Sequence, residues 1–310
     1  MADGERVIAV VVTWNRRELL AESLRAVLGQ SAPPLVTIVV DNDSTDGTAE
    51  LLRTEFPDVE VVRARRNTGG AGGFAIGIAA ALTHDCDAIW LLDDDTVPRP
   101  TALGALRDIR RRYGEGTPSL VASRVVWTDG RDHPMNTPRV KPGARSSERE
   151  AAEAVGCVPI RSASFVSVLV DADTVRERGL PVAAYFLWND DFEYTTRLIR
   201  GRRGLSCPAS NVVHKTRTFG STDADPGERF FYEVRNKMWL FGRSRGLNPA
   251  EKAVYAGSTA RRWTRTIARS ADRPTLLRAL RRGLFAGMTT RPAPTDKLID
   301  AAVRREGRDG

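Results

Sequence analysis

The sequence predicts an α/β fold in which a mostly parallel sheet is flanked by helices and followed by a C-terminal helical extension. Short apolar runs alternate with segments of helical periodicity through residues 1–98, at the spacing of βαβ units. Polar side chains follow the ends of several of these runs. After residue 248 the apolar runs cease, and arginine-rich helical patterns replace them.

Residue type accounts for the elements of the first half. Runs of β-branched and other apolar residues are typical of strands buried on both faces, whereas apolar residues three or four positions apart indicate helices. We predict strands at residues 7–13, 35–40, 59–62 and 88–92. We predict helices at 18–28 and 48–54, and a third that follows a glycine-rich turn within 66–77 and ends near residue 82.

The second half is less regular. We predict strands at 120–127 and 164–170, a short strand before His214, and helices at 100–113, 173–178, 190–200, 250–267 and 274–288. Residues 128–150 are polar and rich in turn-forming residues, so we expect a mobile surface loop there.

Composition limits the classes of protein to consider. The chain has 310 residues, enough for one large domain or two half-domains, and a formal net charge of +8. Its three cysteines are far apart in the sequence, which argues against a disulfide framework or a zinc site and fits a reducing compartment. The N-terminus does not resemble a signal peptide, and no apolar run approaches the roughly 20 residues of a membrane span. We therefore expect a cytoplasmic protein.

The predicted helix 274–288 is basic and amphipathic. Its apolar stripe carries Leu277, Leu280, Leu284 and Met288. The arginines at positions 278, 281 and 282 lie mostly off that stripe. Such a helix suits peripheral contact with an anionic membrane surface. We slightly favour the alternative, in which the helix docks on the sheet and exposes its arginines to solvent.

Polar clusters follow three of the predicted strands, at residues 13–15, 41–43 and 93–95. In open α/β sheets, ligands bind at the edge formed by the carboxyl ends of the strands. Because three separate strands carry polar groups to this edge, we expect a ligand site there.

The most unusual of these clusters is Asp93-Asp94-Asp95, which directly follows an apolar strand. Carboxylates held by a rigid strand end suit a hard cation such as Mg²⁺ or Mn²⁺. Mg²⁺ commonly completes its shell with substrate phosphates, so a diphosphate-bearing substrate is the natural partner. A solvated acidic turn is the alternative, and the position behind an apolar strand and a glycine-rich loop favours the metal.

A second carboxylate cluster, Asp190, Asp191 and Glu193, follows aromatic residues. A carboxylate beside Trp188 and Phe192 would be partly desolvated, which raises its pKa and makes it a better base near neutral pH. The alternative is an ordinary acidic first turn of a helix. His214 follows a short strand, but spacing alone does not assign it to a metal, and neither His84 nor His133 has a comparable context.

The glycine-rich segment "NTGGAGGFAIG" does not keep the order of a dinucleotide-binding fingerprint, and it follows the third strand rather than the first. We expect its glycines to allow close approach of the backbone to a ligand or to a neighbouring strand. A purely structural turn remains the alternative.

Seven segments occur in the order "VIAVVVTWNR", "IVVDNDSTDGT", "RNTGGAGGFAIG", "WLLDDDTVP", "FLWNDDFEYTTRL", "VVHK" and "FFYEVRNKMWL". Over residues 6–245 the chain resembles the family 2 inverting glycosyltransferases, which have the GT-A (Rossmann-like) fold. It is most similar to their bacterial galactofuranosyltransferase and rhamnosyltransferase branch. The stretches "NTGGAGGF" and "WNDDFE" favour the galactofuranosyl side.

The resemblance implies roles for individual positions. The residues that would bind the nucleotide and the donor are Thr13, Asn15, Asp41, Asp43, Asn67, Gly69, Gly70, Asp93, Asp94 and Arg235, the last facing the diphosphate. The metal ligands would be Asp93, Asp95 and His214. The general base would be Asp191, with Asp190 beside it, and the acceptor would contact Trp188 and Glu193.

Two positions depart from the family pattern. The usual "DDGS" after the second strand is "DNDS" here, so only Asp41 is carried over from it. In the usual tryptophan-aspartate-aspartate triplet, Asn189 takes the first place when the segments are aligned without a gap.

The resemblance implies a metal-dependent, inverting transfer of galactofuranose or rhamnose from a UDP- or dTDP-linked donor. The acceptor would be a hydroxyl of a glycan, a lipid-linked glycan or a small molecule. The resemblance also predicts three parts of the chain: a nucleotide-sugar-binding half at 1–98, an acceptor-binding and catalytic half at 99–247, and a basic extension at 248–310. A homo-oligomer and contact with the inner face of the membrane are both compatible with the sequence.

Three other functions compete with this one. A sugar-phosphate nucleotidyltransferase would also need a metal and a nucleotide, but it normally has a glycine-rich basic loop after its first strand, and "TWNRRE" lacks the glycines. A non-catalytic nucleotide-sugar-binding protein would not need both the acidic triplet and Asp191. Nucleic-acid binding ranks last, because the basic C-terminal third has no aromatic-interleaved platform.

Overall fold

The computed structural model describes residues 4–219 and 225–303, which form a ten-stranded sheet flanked by helices. The strands are β1 (Val7–Thr13), β2 (Val36–Asp41), β3 (Glu60–Arg63), β4 (Ala88–Asp93), β5 (Thr96–Pro98), β6 (Leu120–Val126), β7 (Arg139–Val140), β8 (Val158–Ser162), β9 (Ser167–Asp171) and β10 (Gly204–His214). The helices are α1 (Arg17–Leu28), α2 (Thr48–Glu55), α3 (Gly69–Ala81), α4 (Ala102–Arg112), α5 (Ser146–Glu153), α6 (Ala172–Arg178), α7 (Asp190–Ile199), α8 (Phe230–Arg243), α9 (Pro249–Arg269), α10 (Arg273–Thr289) and α11 (Thr295–Ala302).

The strand order is β3-β2-β1-β4-β9-β6-β10-β8-β7, with β5 paired to β10. The first four strands in this order are all parallel, which confirms the βαβ prediction for the first half. The second half is mixed, because β9 runs antiparallel to β4 and β6 while β10 is parallel to β6. The expectation of a mostly parallel sheet is therefore met by the four strands of the first half, whereas the sheet as a whole is mixed.

Strand β1 is buried on both faces, as its continuous apolar run predicts. Its residues 7, 9 and 11 pack in one core with α1, α2 and α4. Its residues 8, 10 and 12 pack in a second core with α3 and α7. These two cores fix the sheet between its helices and thereby position the strand ends.

The glycine-rich segment differs from its prediction, because its glycines form the first turns of α3 rather than a turn before a helix. Gly73 and Gly77 face the sheet, where a Cβ atom would collide with the side chains of Val12 and Val10 respectively. The helix therefore lies closer to β1 than any larger residue would allow. This result supports the close-approach interpretation and corrects the boundary of the helix.

The predicted mobile loop at 128–150 is wrong in part. Strand β7 and the start of α5 lie within it, and His133 and Asn136 are buried. These two polar residues find hydrogen-bond partners at the end of β10, which is why a segment of polar composition packs against the sheet.

Helix α10 packs against α8 rather than on the sheet. The buried positions on its contact face are Leu276, Ala279, Gly283 and Gly287. The predicted stripe is therefore displaced by about one residue: Leu280 and Leu284 are half-buried, whereas Leu277 and Met288 are exposed. In the described ranges, no helix combines the length and apolar character needed to cross a membrane.

Candidate active site

The parallel register brings the predicted polar clusters to one edge of the sheet. Thr13 lies opposite Asp41 in the β1–β2 pair, and Val12 lies opposite Asp93 in the β1–β4 pair. Asp41 and Asp93 are each the last residue of their strand. Thr13, Asp41 and Asp93 are far apart in the sequence, but they lie side by side at the ends of three neighbouring strands.

The three adjacent aspartates do not share one partner. Asp94 turns toward β1, where its Oδ2 accepts a hydrogen bond from Thr13 Oγ1 at 2.9 Å. Arg16 bridges Asp94 and Asp95, with Nη1 3.1 Å from the first carboxylate and 2.7 Å from the second. Sequence reasoning missed Arg16, because one arginine among many gives no signal of its partner.

His214 completes the other side of the triplet. Strand β5, which directly follows the aspartates, pairs with β10 so that Thr96 lies opposite His214. Nε2 of His214 is 2.9 Å from Oδ1 of Asp95. One ligand atom each of Asp93, Asp95 and His214 lies within 4.8 Å of the others. The fold therefore brings together the three residues that the resemblance named as metal ligands.

Burial shifts the pKa values of the three aspartates in different directions. It raises the pKa of Asp93 to about 7, with Asp95 adding to the rise, and raises the pKa of Asp94 to about 6. Burial opposes ionisation of Asp95 as well, but His214 and Arg16 bring the pKa of Asp95 below its ordinary value. A divalent cation would relieve this repulsion, since a cation favours the ionised form of nearby carboxylates.

The donor atoms fit such a cation. Carboxylate oxygens with one imidazole nitrogen are ligands that Mn²⁺ accepts, and carboxylates suit Mg²⁺. Within the described part of the chain, the buried Oδ1 of Asp95 accepts no hydrogen bond of good geometry. A cation bound to this oxygen and to Nε2 of His214, which lies 2.9 Å away, would satisfy both atoms.

A cavity of about 370 Å³ joins this cluster to the second group of carboxylates. Asp93 and His214 line one part of its wall, and Asp190 and Asp191 line another. Trp188 also borders it. The two acidic clusters that the sequence singles out, about a hundred residues apart, therefore face one space.

The second cluster is presented by a strained segment. Phe186, Trp188 and Asn189 have positive φ angles of 63°, 66° and 65°, which non-glycine residues rarely adopt. The amide of Asn236 on α8 holds this segment by donating to the carbonyls of residues 185, 187 and 188, at 3.0, 2.9 and 2.9 Å. Strain that surrounding contacts maintain in this way is typical of functional sites.

The surroundings of Asp190 and Asp191 shift the pKa values of the two carboxyl groups to different extents. Burial, and then the charge of Asp191, raise the pKa of Asp190 well above its ordinary value. Burial also raises the pKa of Asp191, but the Phe192 amide donates to its Oδ1 at 2.6 Å, and Lys237 opposes the rise. These contacts favour the proton on Asp190 and the ionised form of Asp191.

The residues assigned to the nucleotide surround the ends of β1 and β2. Asp41 is fully buried, with Oδ1 accepting from the Ser44 amide at 2.9 Å, and its Oδ2 has no hydrogen-bond partner among the described residues. Asn15 and Asp43 adopt positive φ angles of 52° and 67°. Arg63 Nε lies 3.8 Å from Oδ2 of Asp41, so this oxygen is in an ion pair but accepts no hydrogen bond among the described residues.

The glycine-rich helix closes this side. Asn67 Oδ1 accepts from the Gly69 amide at 2.7 Å, and Gly70 lines the cavity with open space where a Cβ atom would stand. Asn42, the departure within "DNDS", accepts from Thr68 and donates to the Gly69 carbonyl at 2.9 Å. It thereby ties the end of β2 to the start of α3.

Two predicted site residues lie elsewhere among the described residues. Arg235 donates to the carbonyls of Ala184 and Tyr185 at 2.9 and 3.0 Å, so it supports the strained segment and does not face the cavity. Glu193 pairs with Arg197 at 3.0 Å, on the side of α7 away from the cavity. A side chain three positions after Asp190 on a helix can reach a different partner, and sequence spacing does not reveal which one.

The cavity also has walls that sequence reasoning missed. They are Asn136, Glu233, Lys237, Arg262 and Trp263. Glu233 connects the strained segment to α9. It accepts hydrogen bonds from Asn189 at 2.7 Å and from Trp263 at 3.2 Å, and it pairs with Arg262. Helix α9 thus contributes to the site, which the arginine-rich composition of the C-terminal third concealed.

Comparisons with known proteins agree with this geometry. The model of glycosyl transferase family 2 matches residues 8–152. The galactofuranosyltransferase GlfT1 of Mycolicibacterium smegmatis is 34% identical over 269 residues, which cover 81% of this chain and 88% of that protein.

Solved structures share the fold. S. aureus TarS 1-349 in complex with UDP-GlcNAc has a TM-score of 0.62 at 14% identity, covering 91% of this chain and 81% of that one. Against a longer TarS chain, the coverage is 49% of that chain. The mannosyltransferase PcManGT from Pyrobaculum calidifontis, in complex with GDP-Man and Mn2+, has a TM-score of 0.54 at 18% identity, covering 96% and 79%. The predicted GT-A architecture is confirmed.

The chain therefore belongs to glycosyl transferase family 2, and it is a glycosyltransferase.

Proposed function

We propose that the protein transfers galactofuranose from a uridine-diphosphate donor to a hydroxyl acceptor, with inversion and with Mg²⁺ or Mn²⁺. The observation that carries the proposal is the cavity that Asp93 and His214 share with Asp190 and Asp191. The choice of sugar is supported by the 34% identity to a galactofuranosyltransferase. Rhamnose transfer has no comparable support.

Donor binding is assigned to the edge of β1, β2 and β4. The buried Oδ2 of Asp41 accepts no hydrogen bond among the described residues, so it suits an N–H group of a pyrimidine base, with Thr13 and Asn15 completing the site. Asp93, Asp95 and His214 would hold the cation. When bound, the cation supplies Lewis-acid stabilisation of the departing diphosphate.

Acid–base work is assigned to the Asp190–Asp191 pair. Ionised Asp191 accepts the proton of the acceptor hydroxyl, whose oxygen attacks the anomeric carbon from the face opposite the leaving group. Protonated Asp190 can donate a hydrogen bond to the same oxygen or to the sugar. A single displacement with one base inverts the anomeric centre and requires no covalent nucleophile on the enzyme.

Acceptor binding is assigned to the part of the cavity that α8 and α9 enclose. Trp188 and Trp263 border it and offer flat apolar faces to a sugar ring. In this view residues 1–98 bind the donor, residues 99–247 carry the base, and the extension 248–310 contributes Arg262 and Trp263 to the acceptor side.

A lipid-linked glycan is the acceptor that the exterior of α10 favours. Leu277, Phe285 and Met288 are exposed along one face, at 42%, 68% and 60%. Arg281 lies on the same face, and Arg278 and Arg282 flank it. Apolar side chains surrounded by arginines suit the headgroup region of an anionic membrane.

The direct test is an assay of purified protein with UDP-galactofuranose, Mn²⁺ and a panel of hydroxyl acceptors, following UDP release and product mass. We expect acceptor-dependent UDP release, with chelation by EDTA abolishing it. Release of pyrophosphate from UTP and a sugar phosphate would instead identify a nucleotidyltransferase. Tight UDP binding without turnover on any acceptor would identify a binding protein.

A further inference from the structure

Asn136 lies between the metal-ligand candidate His214 and the connection from β8 to β9. Its side chain is buried, and its Nδ2 donates to Ser164 Oγ at 3.0 Å. Its Oδ1 lies 2.8 Å from Nδ1 of His214. The carboxamide is therefore held at both ends, with its carbonyl oxygen directed at the imidazole.

This contact determines where the imidazole carries its hydrogen. A carbonyl oxygen can only accept, so the hydrogen must lie on Nδ1 of His214. Without a cation, Nε2 carries a hydrogen that faces the Asp95 carboxylate, 2.9 Å away. A bound cation replaces that hydrogen, so Nε2 then presents a lone pair while Nδ1 keeps its N–H group.

Nε2 of His214 and a carboxylate oxygen of Asp95 therefore face the same space. Nε2 of His214 and Oδ1 of Asp95 are 2.9 Å apart. One ligand atom of Asp93 also lies within 4.8 Å of these two atoms, so the three residues could hold one cation together.

His133 restricts the imidazole from another side. Its ring centroid is 5.1 Å from that of His214, and its Nε2 is bonded to Thr216 Oγ1 at 2.9 Å. The backbone N–H of Asn136 donates to the backbone carbonyl of His133 at 3.0 Å, which ties the two residues together. The segment 133–136 thus packs around His214.

We infer that Asn136 is a positioning residue, which holds His214 as its Nδ1–H tautomer so that Nε2 can bind the divalent cation. The inference rests on the proposed function, because it takes His214 as a ligand of that ion. It adds an outer partner that fixes the ring and its tautomer, as hydrogen-bonded groups behind metal-bound histidines commonly do.

The test measures Mn²⁺ alone, with full-length protein and no substrate. Free Mn²⁺ is counted by electron paramagnetic resonance during titration of the parent protein, Asn136→Ala, Asn136→Asp and His214→Ala. We expect Asn136→Ala to weaken Mn²⁺ binding about 10- to 100-fold. Asn136→Asp, whose carboxylate still accepts from Nδ1–H, should bind Mn²⁺ at least as tightly as the parent. Circular dichroism of each variant checks that the fold is retained.

Three outcomes would overturn the inference. The first is parent-like Mn²⁺ affinity in Asn136→Ala together with weak binding in His214→Ala, which removes the role of Asn136 and leaves the metal site intact. The second is loss of affinity in Asn136→Asp equal to that in Asn136→Ala, which shows that the carbonyl oxygen is not the active group. The third is parent-like affinity in His214→Ala, which removes both the inference and the proposed metal site.

The tautomer itself provides a second, independent readout. The chain has three histidines, so nitrogen-detected NMR of ¹⁵N-histidine-labelled protein with Mg²⁺ and UDP is tractable, and His214→Ala assigns the signal. We expect an Nδ1–H pattern for His214 in the parent and its loss in Asn136→Ala. An Nε2–H pattern in the parent would contradict the inference even if the variants failed to fold.

Discussion

Burial and mutual repulsion distribute protons unevenly among the carboxylates of the site. Asp93 and Asp190 are both pushed toward the protonated form, whereas Asp95 is held ionised by His214 and Arg16. Pairs of groups whose pKa values are driven apart are typical of acid–base and metal sites. The burial and the charged neighbours of each carboxylate therefore distinguish the groups that favour a proton from those that stay ionised.

Replacing Asp191 by asparagine tests the base directly. Asparagine keeps the shape but cannot accept the proton, so we expect transfer to fall by about 10²-fold or more while UDP and Mn²⁺ still bind. Steady-state kinetics and calorimetry measure the two quantities separately. Turnover within a few-fold of the parent would show that another group is the base.

The raised pKa of Asp191 predicts the acidic side of the pH profile. Asp191 must be ionised to act, and burial raises its pKa above 3.8. Activity is therefore present above the raised pKa and lost as the pH falls through it, at a higher pH than an ordinary aspartate would give. The measurement is kcat/KM for the acceptor against pH at saturating Mn²⁺. A flat profile down to about pH 4 would contradict the assignment, since the ordinary value lies near there.

Some residues could be found from the sequence and others could not. Asp93–Asp95 and Asp190–Asp191 stand out because adjacent carboxylates behind apolar segments are unusual. His214 depended on the family resemblance, since a lone histidine has no spacing pattern. Asn136 and His133 were missed because polar residues in a turn-rich segment indicate solvent exposure, and only the fold reveals their partners.

At the scale of elements, the strands that are buried on both faces were the most predictable. β1 and β4 match their predicted ranges to within a residue, because a continuous apolar run has few other stable positions in a soluble protein. The direction of β9 was not predictable, because hydrophobic pattern does not encode whether a strand is parallel. The elements β7, α5 and α11 were missed because they are only two to eight residues long, and a pattern cannot repeat often enough in so few residues.

Helix α3 provides a matched test of close packing. A Cβ atom on Gly77 would collide with Val10 and Val40, whereas one on Gly70 would meet no atom within 4 Å. We expect Gly77→Ala to lower the free energy of unfolding by about 1–3 kcal/mol. Gly70→Ala should change it by less than about 0.5 kcal/mol. Urea unfolding followed by fluorescence compares the two, and equal stabilities would show that α3 does not depend on this contact.

Across the whole molecule, the C-terminal helices belong to the catalytic body. Helix α10 buries Leu276 and Ala279 against α8, and α9 brings Trp263 to the cavity. Removing residues 249–310 would therefore open the site as well as delete the basic surface. Membrane contact has to be tested with surface substitutions that leave these contacts in place.

The exposed face of α10 permits such a test. We expect the parent to co-sediment with vesicles that contain anionic lipid, and Phe285→Ser combined with Arg281→Glu to reduce the bound fraction several-fold. Leu35→Ser is the matched control, because Leu35 is also exposed, at 62%, but precedes β2 far from α10 in sequence. A parent protein that stays in the supernatant with anionic vesicles would remove the membrane proposal and leave the transferase proposal untouched.

The central claim is that one cavity holds the cation of the donor and the base that activates the acceptor. The most direct measurement is a crystal structure with UDP and Mn²⁺, with diffraction collected at the manganese edge. We predict an anomalous peak in contact with Asp95 and His214, with the diphosphate on the side of the cavity that faces Asp191, and no such peak for Asp95→Ala. Manganese bound elsewhere, or a diphosphate turned away from Asp191, would contradict the account.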